Sequence, residues 1–140
     1  MVYVDTSVLV ALFVNETKSV AVSKWYTACS EELTSAVWCV TEFASALGIK
    51  QRTRQITGNQ GAAAWQAFER FCASDMQLLP VDAAMFHRAA VLTLGSTTGL
   101  RAGDALHLAV ALEGNAKSMA TLDDVLARNA KHMKIKPLAF

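Results

Sequence analysis

The stretch Val2-Tyr3-Val4-Asp5-Thr6-Ser7-Val8-Leu9-Val10-Ala11-Leu12-Phe13 holds two apolar runs with one carboxylate between them. The first run is short and stops at Asp5, which reads as a buried strand delivering an acid to its carboxyl end. Thr6 and Ser7 can cap a helix that carries the second run. Open α/β sheets bind their ligands at the carboxyl ends of their strands. A charge beside so much apolar surface is costly unless a cation or hydrogen-bond donors accept it. The rest of the chain therefore has to be read for other acids that reach the same edge.

The chain has 140 residues, 53% of them hydrophobic and 18% charged, which fits one compact domain with a large core and argues against disorder. The longest apolar run, Val8 to Val14, breaks at Asn15-Glu16, well short of a membrane span. Met1-Val2-Tyr3-Val4-Asp5 lacks a basic lead-in, so no signal peptide is expected and a cytoplasmic protein is the default. The net charge of +1 is smaller than the excess that a protein holding nucleic acid by a broad basic face usually shows. Any phosphate recognition must be local or assisted by metal. Cys29, Cys39 and Cys72 are far apart, with no CxxC, and read as reduced thiols used as small apolar residues.

Strand-like and helix-like segments alternate. Val2 to Val4, Leu33 to Val37, Met76 to Val81, Lys117 to Ala120 and Met133 to Leu138 read as strands. Helices are expected over Ser19 to Ala28, with Val20, Val22, Trp25 and Tyr26 as packing residues, and over Val40 to Lys50. Gly58-Asn59-Gln60-Gly61 is expected to break the chain before a helix over Ala62 to Ala73, striped by Trp65, Phe68, Phe71 and Cys72. Asp82 should cap a helix through about Leu94, followed by the loop Gly95 to Gly99, a helix from Ala105 to Leu112 ended by Gly114, and a short one over Val125 to Ala130. Strands separated by helices imply a mostly parallel central sheet covered on both faces.

Most acids have simple structural explanations: Glu31, Glu32, Glu69 and Glu113 as solvated, Asp75 in a turn, and Glu16 near a helix start. Glu42 differs, because it interrupts the stripe of Cys39, Phe43, Ala46, Leu47 and Ile49; it either lies at the edge of that stripe, pairs with a cation, or serves a site. Asp104 opens Asp-Ala-Leu-His-Leu-Ala-Val-Ala-Leu, apolar nearly all round; it is either an N-cap eased by Gly103 or a functional acid. Asp123 and Asp124 follow a strand and can cap the next helix, while a parallel strand ending at Thr121 would put Asp123 on the edge that holds Asp5.

VYVDTSVLVALF (2–13), the Glu42 of VTEFASAL (40–47), LRAGDALHLAVAL (100–112) and ATLDDVLARNA (120–130) together resemble a PIN-domain ribonuclease, and most closely the VapC-type toxins of bacterial toxin–antitoxin pairs. The resemblance spans residues 1–140 as a single α/β domain. It maps the family's three most regular acids onto Asp5, Glu42 and Asp104, and its fourth, in a Thr-x-Asp setting, onto Asp123 beside Asp124. It implies endonucleolytic hydrolysis of RNA leaving a 5′-phosphate and a 3′-hydroxyl, an antitoxin partner and a homodimer.

Crowded carboxylates raise one another's pKa values, and a divalent cation removes the repulsion. Oxygen ligands favour Mg²⁺ or Mn²⁺ over zinc. Asp5 and Asp104 are assigned as principal ligands, with Asp123 completing the site and Glu42 either binding metal or orienting the attacking water. Thr6, Ser7 and Thr121 are candidates to hold water or phosphate, and Arg101 to hold phosphate or pair with an acid. His107 reads as a core or supporting residue, and Lys50, Arg52 and Arg54 as a solvated helix end, with RNA contact or antitoxin docking as alternatives. Trp25, Trp38 and Trp65 read as core or interface residues. Two competing functions are a phosphatase or phospho-receiver, for which the Asp-x-Asp nucleophile motif is missing, and a PIN-like binding module without catalysis.

Overall fold

The computed structural model describes residues 1–140. Five strands, β1 (Val2–Val4), β2 (Leu33–Ala36), β3 (Met76–Leu79), β4 (Ser118–Ala120) and β5 (Lys136–Pro137), form one sheet in the order β3-β2-β1-β4-β5. Every pairing is parallel, with Tyr3 opposite Thr34 on one side and Met119 on the other. The chain reverses direction of travel across the sheet beside β1, so Asp5 leaves the sheet at a topological switch point.

Alternation along β1 divides the core. Val2 and Val4 face a cluster built with α1 (Thr6–Phe13), α2 (Ser19–Ala28), α3 (Trp38–Arg52) and α4 (Gly58–Ser74). Tyr3 faces the opposite cluster, built with α5 (Ala83–Gly95), α6 (Ala102–Glu113) and α7 (Asp124–His132). The first cluster is held by aromatic rings: Phe43 stacks on Phe68 with centroids 4.1 Å apart, and Phe13 meets Phe43, Phe68 and Phe71 edge-on. In the second, α6 is buried from Ala105 to Ala111, as expected of a helix apolar nearly all round.

Several expectations are corrected. Asp5, not Thr6 or Ser7, is the N-cap of α1; its side chain accepts from the Val8 N–H. Gly58 to Gly61 does not break the chain: it is the first turn of α4, because Thr57 and Gln60 close a capping box on each other's backbone N–H groups. Val20 is 82% exposed, leaving Val22, with Trp25 and Tyr26 as expected, to pack α2. The last strand shrinks to two residues because α7 runs on to His132 and Lys134 takes a left-handed turn at φ +64°. Lys50 is not solvated; it pairs with Glu16 at 2.5 Å and is only 14% exposed. Asp82 caps α5 as expected, accepting from the Met85 N–H at 3.0 Å. Asp82→Ala is expected to lower stability by about 1 kcal/mol, read from the urea midpoint at an unchanged m-value.

Candidate active site

β1 ends one residue before Asp5 and β4 one residue before Thr121, so the register Val4 to Ala120 sets these two side by side. The Asp5 carboxylate is 3% exposed and hydrogen-bonded on both oxygens. Oδ1 accepts from the Ser7 hydroxyl at 2.6 Å and the Val8 N–H at 3.3 Å, and Oδ2 accepts from the Thr121 hydroxyl at 2.8 Å. Burial nevertheless pushes its pKa up, against the lowering effects of His107 and these donors. No cationic side chain forms a salt bridge with Asp5.

Ser7 and Thr121 each face two ways. Ser7 Oγ accepts the Leu122 N–H at 2.9 Å, and Thr121 Oγ1 accepts the Asp123 N–H at 3.0 Å. Both hydroxyls are thus engaged in tying Asp5 to the turn after β4. The Thr6 hydroxyl is likewise engaged, donating to Glu42 Oε1 at 2.6 Å.

Asp104 is not an N-cap. The cap position of α6 is Arg101, without a capping side chain, and Asp104 lies in the first helical turn, where an acid favours the positive helix end. Burial, then the charges of Asp123 and Asp5, push its pKa up against the pull of Arg101 and His107. Asp123 is the N-cap of α7, and its second oxygen faces away from that helix. Its Oδ1 caps α7 through the Leu126 N–H at 2.8 Å, while Oδ2 lies 3.5 Å from Arg101 Nη2. Asp124 is exposed on the first turn of α7. Arg101, 78% exposed, also reaches Asp104 at 3.7 Å, so it pairs with two acids.

Glu42 projects from α3 toward the same edge. Burial raises its pKa, but the hydrogen bond of His107 and the charge that ring carries when protonated, with the Thr6 and Trp38 donors, more than offset that, and the carboxyl lies below its usual value. Beyond it runs an open groove of about 670 Å³ between α1 and α3, from Thr6, Ser7 and Trp38 to the Glu16–Lys50 pair. Cys39, one turn from Glu42, is pushed up to about 12 by burial and stays a thiol at neutral pH.

The family description PIN domain matches residues 2–132. The chain belongs to the PIN-domain family. No curated protein matches it. Its fold is similar to that of the Mycobacterium tuberculosis toxin VapC20, described as cleaving the sarcin–ricin loop, at a TM-score of 0.75 and 16% identity over 91% of this chain and 94% of that one. It is also similar to FitAcB from Neisseria gonorrhoeae, at 0.73 and 16% over 99% and 97%. A third similar structure is PAE2754 from Pyrobaculum aerophilum, at 0.64 and 21% over 91% and 83%.

In this PIN domain a divalent cation can be tested against the donor set. Asp5, Asp104 and Asp123 supply only carboxylate oxygens, burial pushes up the first two, with neighbouring acids adding to it at Asp104, and one exposed arginine is their only salt-bridge partner. That chemistry suits a hard divalent ion. The side chains lie near one another without three of them converging on a single coordination point. Sequence reading gave no site role to Tyr3, Trp38 or Gly103. The available signal was strand alternation, which turns Tyr3 toward α6 and His107.

Proposed function

We propose that this PIN domain is a metal-dependent endoribonuclease and the toxin of a toxin–antitoxin pair. The observation that carries it is the gathering of Asp5, Asp104 and Asp123 at the carboxyl edge of the sheet, with Glu42 on the adjoining helix. Asp5, Asp104 and Asp123 would hold Mg²⁺ or Mn²⁺, which would supply polarisation of the phosphodiester and a lowered pKa of water. Glu42, kept ionised, accepts a proton from the attacking water and orients it. Ser7, Thr6 and Thr121 fix the carboxylates, and the exposed Arg101 would be available to hold a substrate phosphate.

The toxin role draws support from the likeness in fold to VapC20 and to FitAB bound to a DNA fragment. The antitoxin lays a segment along the groove of Val10, Ala46, Ile49 and Trp38 and sets a basic side chain on the acids. A homodimer is proposed through the exposed apolar stripe of α5, where Phe86, Ala90 and Leu94 repeat at four-residue spacing and Leu94 is 88% exposed. No helix is long and apolar enough to cross a membrane, and the protein is proposed to work in the cytoplasm.

The test is cleavage of a mixed structured RNA by the purified chain with Mg²⁺ or Mn²⁺. Expected products carry a 5′-phosphate and a 3′-hydroxyl, and chelator stops their formation. Binding of the same RNA without cleavage under all these conditions would favour the non-catalytic binding module instead.

A further inference from the structure

Behind Glu42 lies a buried chain of hydrogen bonds: the Ala36 N–H, the Tyr3 hydroxyl, the His107 ring and the Glu42 carboxylate. It crosses from the second core cluster to the site. Both Tyr3 and His107 are almost wholly inaccessible to solvent. A buried polar series of this kind is costly unless each member is satisfied, so its protons can be placed by counting donors and acceptors.

Glu42 Oε1 accepts from the Thr6 hydroxyl and contacts His107 Nε2. An ionised carboxylate can only accept, so Nε2 carries a proton and donates it to Oε1. At the other end, Tyr3 Oη accepts the Ala36 N–H at 3.0 Å and lies 2.8 Å from His107 Nδ1. With the Ala36 N–H on one lone pair, the tyrosine can give its own proton to an unprotonated Nδ1. In that arrangement the ring is neutral, with its one proton on Nε2, and the tautomer is set from behind by Tyr3. Thr6 closes the arrangement, its oxygen 3.2 Å from Nε2 while its hydrogen goes to Oε1.

The two oxygens of Glu42 are thereby made unequal. Oε1 has two fixed protein donors. Oε2 points instead toward the first turn of α6: a Cβ placed on Gly103 would lie 3.2 Å from Oε2 and 3.5 Å from Trp38 Nε1. Both atoms thus reach one point beside the helix that carries Asp104; the buried Trp38 N–H makes no well-formed hydrogen bond there, yet lies close enough to Glu42 to help lower its pKa.

We propose, on the hydrolytic reading given above, that His107 is a positioning residue: locked by Tyr3 as the Nε2–H tautomer, it commits Glu42 Oε1 to the protein and leaves Oε2 as the oxygen that orients the attacking water. Gly103 serves the same end by leaving room at Oε2.

Two measurements test this. In metal-free protein labelled with ¹⁵N at histidine, NMR of the His107 ring nitrogens is expected to show the proton on Nε2 in wild type and a loss of that fixed state in Tyr3→Phe. A wild-type ring protonated on Nδ1 overturns the proposal. In RNA cleavage with Mn²⁺, His107→Leu is expected to lower kcat by about 10–100-fold while KM and Mn²⁺ affinity move by less than about threefold, and His107→Gln, which keeps a donor toward Glu42, to recover most of the loss. An active wild type whose kcat survives both His107→Leu and Tyr3→Phe overturns it. Should His107→Leu fail to fold, the wild-type ring state and Tyr3→Phe still decide. Failure of the hydrolytic reading looks different, since the wild type itself would then cleave no RNA.

Discussion

Asp104→Asn is expected to lose at least about 100-fold in kcat on RNA, more than a supporting partner of a metal ligand loses, because an ionised ligand disappears. The same variant is expected to be more stable than wild type when metal is absent. Burial and the charges of Asp123 and Asp5 hold the folded-state pKa of Asp104 above its usual value. An acid raised on folding binds its proton more tightly in the native state, so it destabilises the fold above that raised pKa and is neutral below the unfolded one. The gain in Tm, measured with chelator present, should therefore be full at neutral pH and fade as pH falls through the raised value toward the usual carboxylate range. A gain that grew on acidification would contradict the assigned shift. Activity and stability here pull against each other at one residue, as is common where a site holds uncompensated charge.

Phe68→Ala carries the largest expected loss of stability, about 3–5 kcal/mol. Phe68 is 1% exposed, stacked on Phe43, met edge-on by Phe13 and packed against a tilted Trp65. It belongs to the cluster that carries α1 and α3, the helices on which Asp5 and Glu42 depend for their placement. Removing the ring leaves a cavity whose aromatic neighbours cannot easily collapse, and the urea midpoint should fall accordingly. A loss under about 1 kcal/mol would mean that this cluster is loosely packed, against the 4.1 Å stacking seen.

Much of this was legible in the sequence for definite physical reasons. A short apolar run ending in an acid fixed both the strand and the edge for Asp5, and Asp82 followed by Ala-Ala-Met announced its cap. Where the reading failed, the cause was local chemistry hidden by a stronger signal. Gly58 and Gly61 suggested a break, although Thr57-Gly58-Asn59-Gln60 carries a capping box that starts α4 there. Val20 looked like core because of its type, yet helical phase points it to solvent. Lys50 looked solvated because its partner Glu16 lies on another element, and no single-segment pattern reveals that pair. Asp123 stood as cap or site because both explain an aspartate at that place; its two oxygens face different ways, one to α7 and one to Arg101. The Tyr3–His107–Glu42 series joins three elements distant in sequence and becomes visible only in three dimensions.

The acids of the sheet edge are assigned one shared task, holding a divalent cation, and a Mn²⁺ titration followed by thermal unfolding tests that most directly. Binding to the folded state alone raises stability by about 2.7 kcal/mol at a hundredfold excess over Kd. Wild type should gain Tm steadily with Mn²⁺, and Asp104→Asn should gain almost nothing over the same range. Equal shifts in the two proteins, or none in either, would contradict a cation site built on these carboxylates.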